Sequence, residues 1–272
     1  MKPELQKRVQ RYGWDKASKY YVDCWQNQLK PAHDALIETA RVQTGHKILD
    51  IDAGTVLVSF PMANKNGESG HVFATDISDE MVTIGNQLAL TSGTGNITFR
   101  QMDAENINLE NNTFDLVTCA LGLMYFPDPD TSLTEAFRVL KPGGKAVVAV
   151  WGSRKKCGWS DIFPIVDARV KTDVCPMFFN LGENNTLKYP FEKAGFKNIS
   201  LQRIETKLIY SNAEEACDAS FLGGPVAMAY SKFDEISKNE ARAEYIKSIE
   251  PFKTKNGYEI PGEFVIGTAI KE

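Results

Sequence analysis

Apolar and polar positions change period several times along this chain of 272 residues. From residue 3 to about 44 they follow helical spacing through Leu29, Ala32, Leu36 and Ala40, with Tyr12, Trp14, Tyr20, Tyr21 and Trp25 interleaved among polar residues. The pattern predicts an N-terminal helical cap over 1–44, whose aromatics either anchor packing or close over a ligand. Ile48, Leu49 and Ile51 then form a short, nearly continuous apolar run, as in a central parallel strand covered on both faces. Gly54 permits a tight turn after it, and 57–63 reads as a short helix delayed by Pro61. Further strands are expected at 71–76, 96–105, 114–119 and 145–151, with helices at 79–91 and 131–140. Lys141-Pro142-Gly143-Gly144 should close the last helix and turn the chain. This alternation predicts a parallel sheet with right-handed crossovers.

Composition narrows the function classes. The chain is 43% hydrophobic and 24% charged, with a formal charge of −4, which describes one large globular domain and argues against a nucleic-acid binder. No apolar run is long enough to span a bilayer and the first residues show no leader pattern, so a cytoplasmic location is expected. The cysteines Cys24, Cys119, Cys157, Cys175 and Cys217 are scattered and without a C-x-x-C pair, the pattern of a reduced protein. His33, His46 and His71 lack ligand spacing, so no metal site is expected.

The second and third expected strands each end in an acid, at Asp76 and at Asp103 to Glu105. In an open α/β sheet ligands bind beyond the carboxyl ends of the strands. Asp76 there can accept from two ribose hydroxyls, or cap the helix that starts near Ser78. Asp103 can serve a ligand or cap the turn at Glu105. Met81 can cover a flat ring or belong to the core.

Leu49-Asp50 with Gly54-Thr55, then Asp76, Asp103-Ala104-Glu105, Phe114-Asp115-Leu116-Val117 and Arg138 to Gly144 stand in the order of class I S-adenosylmethionine-dependent methyltransferases. The chain most resembles the small-molecule group that includes the ubiquinone and menaquinone C-methyltransferases, and Gly122 to Asp128 resembles a loop of that group. The resemblance implies an α/β, doubly wound, mostly parallel seven-stranded sheet with its last strand antiparallel and a helical cap. Strands at 198–209 and 263–270 complete that sheet, so the core is read as 45–210 plus 259–272 and the helical substrate cap as 211–258. It further implies S-adenosylmethionine as cofactor, a small hydrophobic or aromatic acceptor, and allows a homodimer. Carried over residue by residue, Asp50, Asp52 and Gly54 would hold the methionine end, Asp76 the ribose, Ile77 and Met81 the adenine face, Asp103 and Ala104 the adenine edge, and Cys119 and Leu121 the floor near the sulfonium.

The glycine-rich turn departs from the family. It reads Asp50-Ile51-Asp52-Ala53-Gly54-Thr55-Val56, with Asp52 and Val56 where the family has small residues. Like charges about 4 Å apart repel by about 1 kcal/mol in water and severalfold more in a partly dry pocket. Asp52 would therefore hinder a cofactor carboxylate or help its ammonium, and Val56 would strain a turn position needing positive φ. For catalysis, Tyr20, Tyr21, Tyr125 and Phe126 are candidates to face the sulfonium, and His33, Tyr20 or Tyr21 to act on the acceptor. The competing readings are a methyltransferase-fold binding module or enzyme of other chemistry, and a nicotinamide-dependent oxidoreductase, which would need a G-x-G-x-x-G absent here.

Overall fold

In the computed structural model, which describes residues 3–171, 175 and 177–272, the cap stretch is one continuous helix, α1 (Pro3–Ala40). Its stripe at Ala32, Leu36 and Ala40 is buried in the core, and Trp14, Ala17, Trp25 and Leu29 are buried further toward its N-terminus. The chain continues through β1 (Lys47–Ile51), α2 (Ser59–Asn66), β2 (His71–Asp76), α3 (Asp79–Ser92), β3 (Ile97–Gln101), β4 (Phe114–Ala120), α4 (Pro129–Val139) and β5 (Leu140–Trp151). Then come α5 (Ile162–Asp167), α6 (Lys188–Ala194), β6 (Lys197–Tyr210), α7 (Ala213–Phe221), α8 (Ala227–Tyr230), α9 (Glu235–Ile249), β7 (Lys253–Thr254) and β8 (Gly257–Ile270). The stretch 152–180, between the expected strands at 145–151 and 198–209, reads as irregular from the sequence, and 172–174 and 176 within it lie outside the described residues.

The sheet runs β3-β2-β1-β4-β5-β8-β6, with the short β7 added on β8. β1 to β5 are parallel, and β8 is antiparallel to both β5 and β6. This is the doubly wound sheet with a reversed last strand that the pattern and the resemblance imply. Strand order reverses between β1 and β4, which opens a crevice beyond their carboxyl ends. Ile48, Leu49 and Ile51 of β1 are buried on both faces, as a strand at that switch point requires.

Local chemistry sets the element boundaries. Pro61 falls in the first turn of α2, where its missing N–H leaves no bond unmade. Ser78, rather than Asp76, caps α3: its hydroxyl accepts from the Met81 N–H at 3.2 Å. Lys141 to Gly144 do not form a free turn, because β5 already begins at Leu140. Phe114 pairs with Leu140 and the ladder resumes at Leu116 with Lys145, so the extra residues form a bulge. Gly143, at φ 82°, takes its left-handed corner, and its N–H donates to the Lys271 carbonyl at 2.6 Å. Among the described residues no helix is long and apolar enough to cross a membrane.

Candidate active site

The crevice is built from the two turns that follow β1 and β4. After Ile51 the backbone turns through Asp52 at φ 56° and Gly54 at φ 59°; after Ala120 it turns through Leu121 at φ 63°. Left-handed backbone disfavours side chains, Asp less than branched ones. The turns meet face to face: a Cβ on Gly122 would stand 2.4 Å from the Cβ of Asp52, so only glycine at 122 admits the Asp52 side chain. Val56 is not among the left-handed residues and lines a separate groove with His33. The branched side chain therefore neither strains the turn nor enters the crevice, which corrects the expectation for Val56.

Two hollows adjoin there. The first, with about 540 Å³ of empty space, is walled by Trp14, Tyr21, Trp25, Tyr125, Trp151 and Trp159, which include all four tryptophans of the chain. The second, about 440 Å³, lies beyond β2 and β3 against Ile77, Met102, Asp103 and Ala104, and is closed by Lys7 and Gln10 of α1. Trp14, Asp52, Asp76 and Tyr125 are common to both.

The acids differ in their partners. Asp50 is fully buried behind the crevice and accepts from the Ser59 hydroxyl and, at 2.7 Å, from that of Thr118. Burial pushes its carboxyl up to about 6 against those donors, and the charge of Asp76 adds to the rise. Asp76 accepts the N–H groups of Gly54 and Ser78, each at 2.9 Å, so it braces the β1 turn and the start of α3 together. Burial holds it at about 6 despite these donors. The Asp52 carboxylate has no hydrogen bond or ion pair among the described residues, and burial first, then Asp76 and Asp50, raise it well above the usual carboxylate range. Asp103 caps the turn at Glu105, whose N–H it accepts at 2.9 Å, and takes the Lys7 ammonium at 2.7 Å. Lys7 also pairs with Glu105 at 2.7 Å.

Tyr21, Asp52, Gly54, Asp76, Met81 and Leu121 thus meet in the aromatic hollow, and Asp52, Asp76, Ile77, Asp103 and Ala104 in the acidic one. Met81 and Ile77, expected on one adenine face, fall in different hollows. Asp50 and Cys119 are buried and line neither; Ala120 and Leu121 form the floor instead. Tyr20 is half-buried outside both, with the Lys19 ammonium 4.8 Å over its ring. His33 sits in its separate groove, where burial lowers its imidazole to about 4. Lys7, Gln10, Trp151, Gly224 and Pro225 were not expected here. Trp14 is among the cap aromatics that the sequence offers for closing over a ligand, whereas Trp159 and Gly223-Gly224-Pro225 give only compositional hints and Lys7 gives none. Among the described residues no cluster of His, Cys, Asp and Glu could hold a metal.

A sheet of this order, open at its switch point and lined by strand-end acids, defines a class I methyltransferase-like fold. Solved structures agree. A methyltransferase structure from Bacillus halodurans superposes with a TM-score of 0.62 at 20% identity, covering 88% of this chain and 98% of its own. The structure of the [4+2]-cyclase SpnF gives 0.60 at 19% identity, covering 88% and 80%. At the family level, the profile of the ubiE/COQ5 methyltransferase family matches residues 26–162, and the chain belongs to that family. A ubiquinone/menaquinone biosynthesis C-methyltransferase UbiE from Cellvibrio japonicus is 43% identical over 113 residues, 41% of this chain and 45% of that protein. The Pseudomonas putida protein of that name is 30% identical over 188 residues, 64% of this chain and 73% of its own. The chain thus spans about half the length of the first relative and about three quarters of the second.

Proposed function

We propose that the chain transfers a methyl group from S-adenosylmethionine to a small, hydrophobic or aromatic acceptor. The joining of an acidic hollow to an aromatic one at Asp52 and Asp76 carries this reading. The donor set suits the cofactor. Each Asp76 oxygen already accepts one N–H and keeps a lone pair for a ribose hydroxyl. Asp103 and Ala104 line the acidic hollow, where an adenine edge would lie. A Cβ on Gly54 would reach the Tyr21 ring at 3.5 Å, so glycine leaves that backbone open to close approach. When bound, the cofactor supplies a methyl group already activated on a sulfonium.

The protein's own part is alignment and exclusion of water. α1 roofs both hollows through Lys7, Gln10, Trp14 and Tyr21, and the tryptophan walls favour a flat, apolar acceptor. The relatives' activity, C-methylation in ubiquinone and menaquinone biosynthesis, agrees with an aromatic carbon as acceptor. The same fold serves the [4+2]-cyclase SpnF, so fold alone does not assign the chemistry. Calorimetry with S-adenosylmethionine and S-adenosylhomocysteine decides. Binding that weakens at least about tenfold in Asp76→Ala supports the reading; a folded protein that binds neither ligand would leave only a binding module or another chemistry.

A further inference from the structure

We infer that Asp52 reads the positive charge on the cofactor sulfur, so that this chain holds S-adenosylmethionine in preference to S-adenosylhomocysteine. The inference rests on the cofactor reading above. Its first support is position. Among the described residues only four wall both hollows: Trp14, Asp52, Asp76 and Tyr125. With the ribose at Asp76, the next group along the cofactor is the sulfonium. The shared residues left to surround it are one carboxylate and two aromatic rings, which lie edge to face 5.2 Å apart.

The second support is availability. Asp50 is engaged by Ser59 and Thr118, Asp76 by Gly54 and Ser78, and Asp103 by Lys7 and Glu105. Asp52 alone of these four has a carboxylate without a partner among the described residues. Among the described residues no Lys, Arg or His lines the aromatic hollow, and the acidic hollow holds only Lys7, already paired with Asp103 and Glu105. A cation arriving between the hollows therefore meets an unpaired acid and no competing positive side chain.

The third support is that the chain is shaped around this residue. Asp52 occupies a left-handed turn that glycine would take without strain, and Gly122 opposite leaves room for its side chain. Burial and the two neighbouring acids keep the free carboxyl reluctant to ionise, so its charge develops best when a cation is beside it. The methyl donor carries that charge on sulfur, and its demethylated product does not. A carboxylate that steadies the sulfonium acts on binding and selectivity; it does not accelerate the transfer, in which the charge disperses.

Calorimetric titration of the full chain, wild type, Asp52→Asn and Asp52→Gly, with each ligand tests this, alongside a melting curve for every variant. The expected result is a wild-type preference for S-adenosylmethionine of about tenfold or more. Both variants should then lose about 10- to 100-fold in S-adenosylmethionine affinity, as for one charged contact, while S-adenosylhomocysteine changes by less than about threefold. Melting temperatures should not fall, since Asn is isosteric and Gly suits the turn. Parallel changes for both ligands, or an unchanged ratio, would overturn the inference while leaving the cofactor reading intact. A wild type that binds neither ligand would overturn both.

Discussion

Lys7 of α1 sets its ammonium 2.7 Å from Asp103, on the wall where an adenine amino group is expected. The same nitrogen pairs with Glu105, so one lysine latches the roof of the crevice to the turn after β3. Contacts of this exposure contribute no more than about 1 kcal/mol each. Lys7→Met should speed cofactor association up to about fivefold, with a similar rise in dissociation, read by stopped-flow fluorescence of the nearby Trp14. An unchanged association rate would show that the latch does not limit entry.

Gly122→Ala should drive its new methyl into Asp52, costing about 1–3 kcal/mol by overpacking. Cofactor affinity should fall with it. Adding Asp52→Gly removes the obstacle, so the double variant should recover stability beyond the sum of the single changes. Additive effects in urea denaturation would mean that the two turns do not touch as described.

Acidity should separate Asp52→Asn from wild type. A raised carboxyl keeps in the folded state a proton that the unfolded chain has released. Stability from these acids therefore falls as pH climbs from about 4, where unfolded carboxyls ionise, through about 6, where Asp50 and Asp76 do so in the fold. Facing this cluster are Tyr21 and Asp15 of α1, Tyr125, and Cys119 of β4. The melting-temperature advantage of the variant should be small near about pH 4.5 and reach several degrees by about pH 7.5. Equal differences at both would show that the cluster does not titrate on unfolding.

His33 moves the other way. Its imidazole is lowered to about 4 by burial, with Asp34 opposing and Lys30 adding, so the unfolded chain binds its proton first as pH falls. Stability is lost on going below about pH 6.5. His33→Leu should raise the melting temperature near about pH 5, change little near about pH 8, and leave cofactor affinity untouched. A drop in affinity would return His33 to the site.

Trp159 is buried in the aromatic hollow with no partner for its indole N–H among the described residues. Its ring packs 4.7 Å from that of Trp151 and 5.6 Å from Phe178. Trp159→Phe keeps a ring and removes an unmet donor, so it should cost about 1 kcal/mol or less. Trp159→Ala should cost about 3–5 kcal/mol. Comparable losses in the two would mean that the N–H is bonded.

What the sequence revealed and what it hid have physical reasons. β1, β2 and β4 were legible because a strand buried on both faces needs a continuous apolar run, and strand-end acids follow from where such strands stop. The turn after β1 was read in the wrong place. Strain was expected at Val56, whereas Asp52 and Gly54 take the left-handed backbone. A turn's conformation depends on what meets it, here Gly122 from another strand. The lysine on Asp103 comes from 96 residues away, and no local pattern announces such a pairing. The tryptophan walls converge for the same reason, through β5, α1 and the loop after β5.

α1 is a single rod with Pro31 inside it, buried on both sides of that proline, through Ala17, Trp25 and Leu29 before it and Leu36 and Ala40 after it. Lys7 lies 24 residues from Pro31, about 36 Å along the axis. Proline removes one hydrogen bond from the rod at that point. A pivot of about ten degrees there would swing Lys7 by about 6 Å, but Gln28 exchanges two hydrogen bonds with Ile209 of β6 and Trp25 donates to the Ala219 carbonyl, so the rod is held just before the proline. Swinging the roof aside at that point would cost the Gln28 tether to the sheet edge as well as the Lys7 pair, so the rod serves as a fixed beam over the crevice rather than a door.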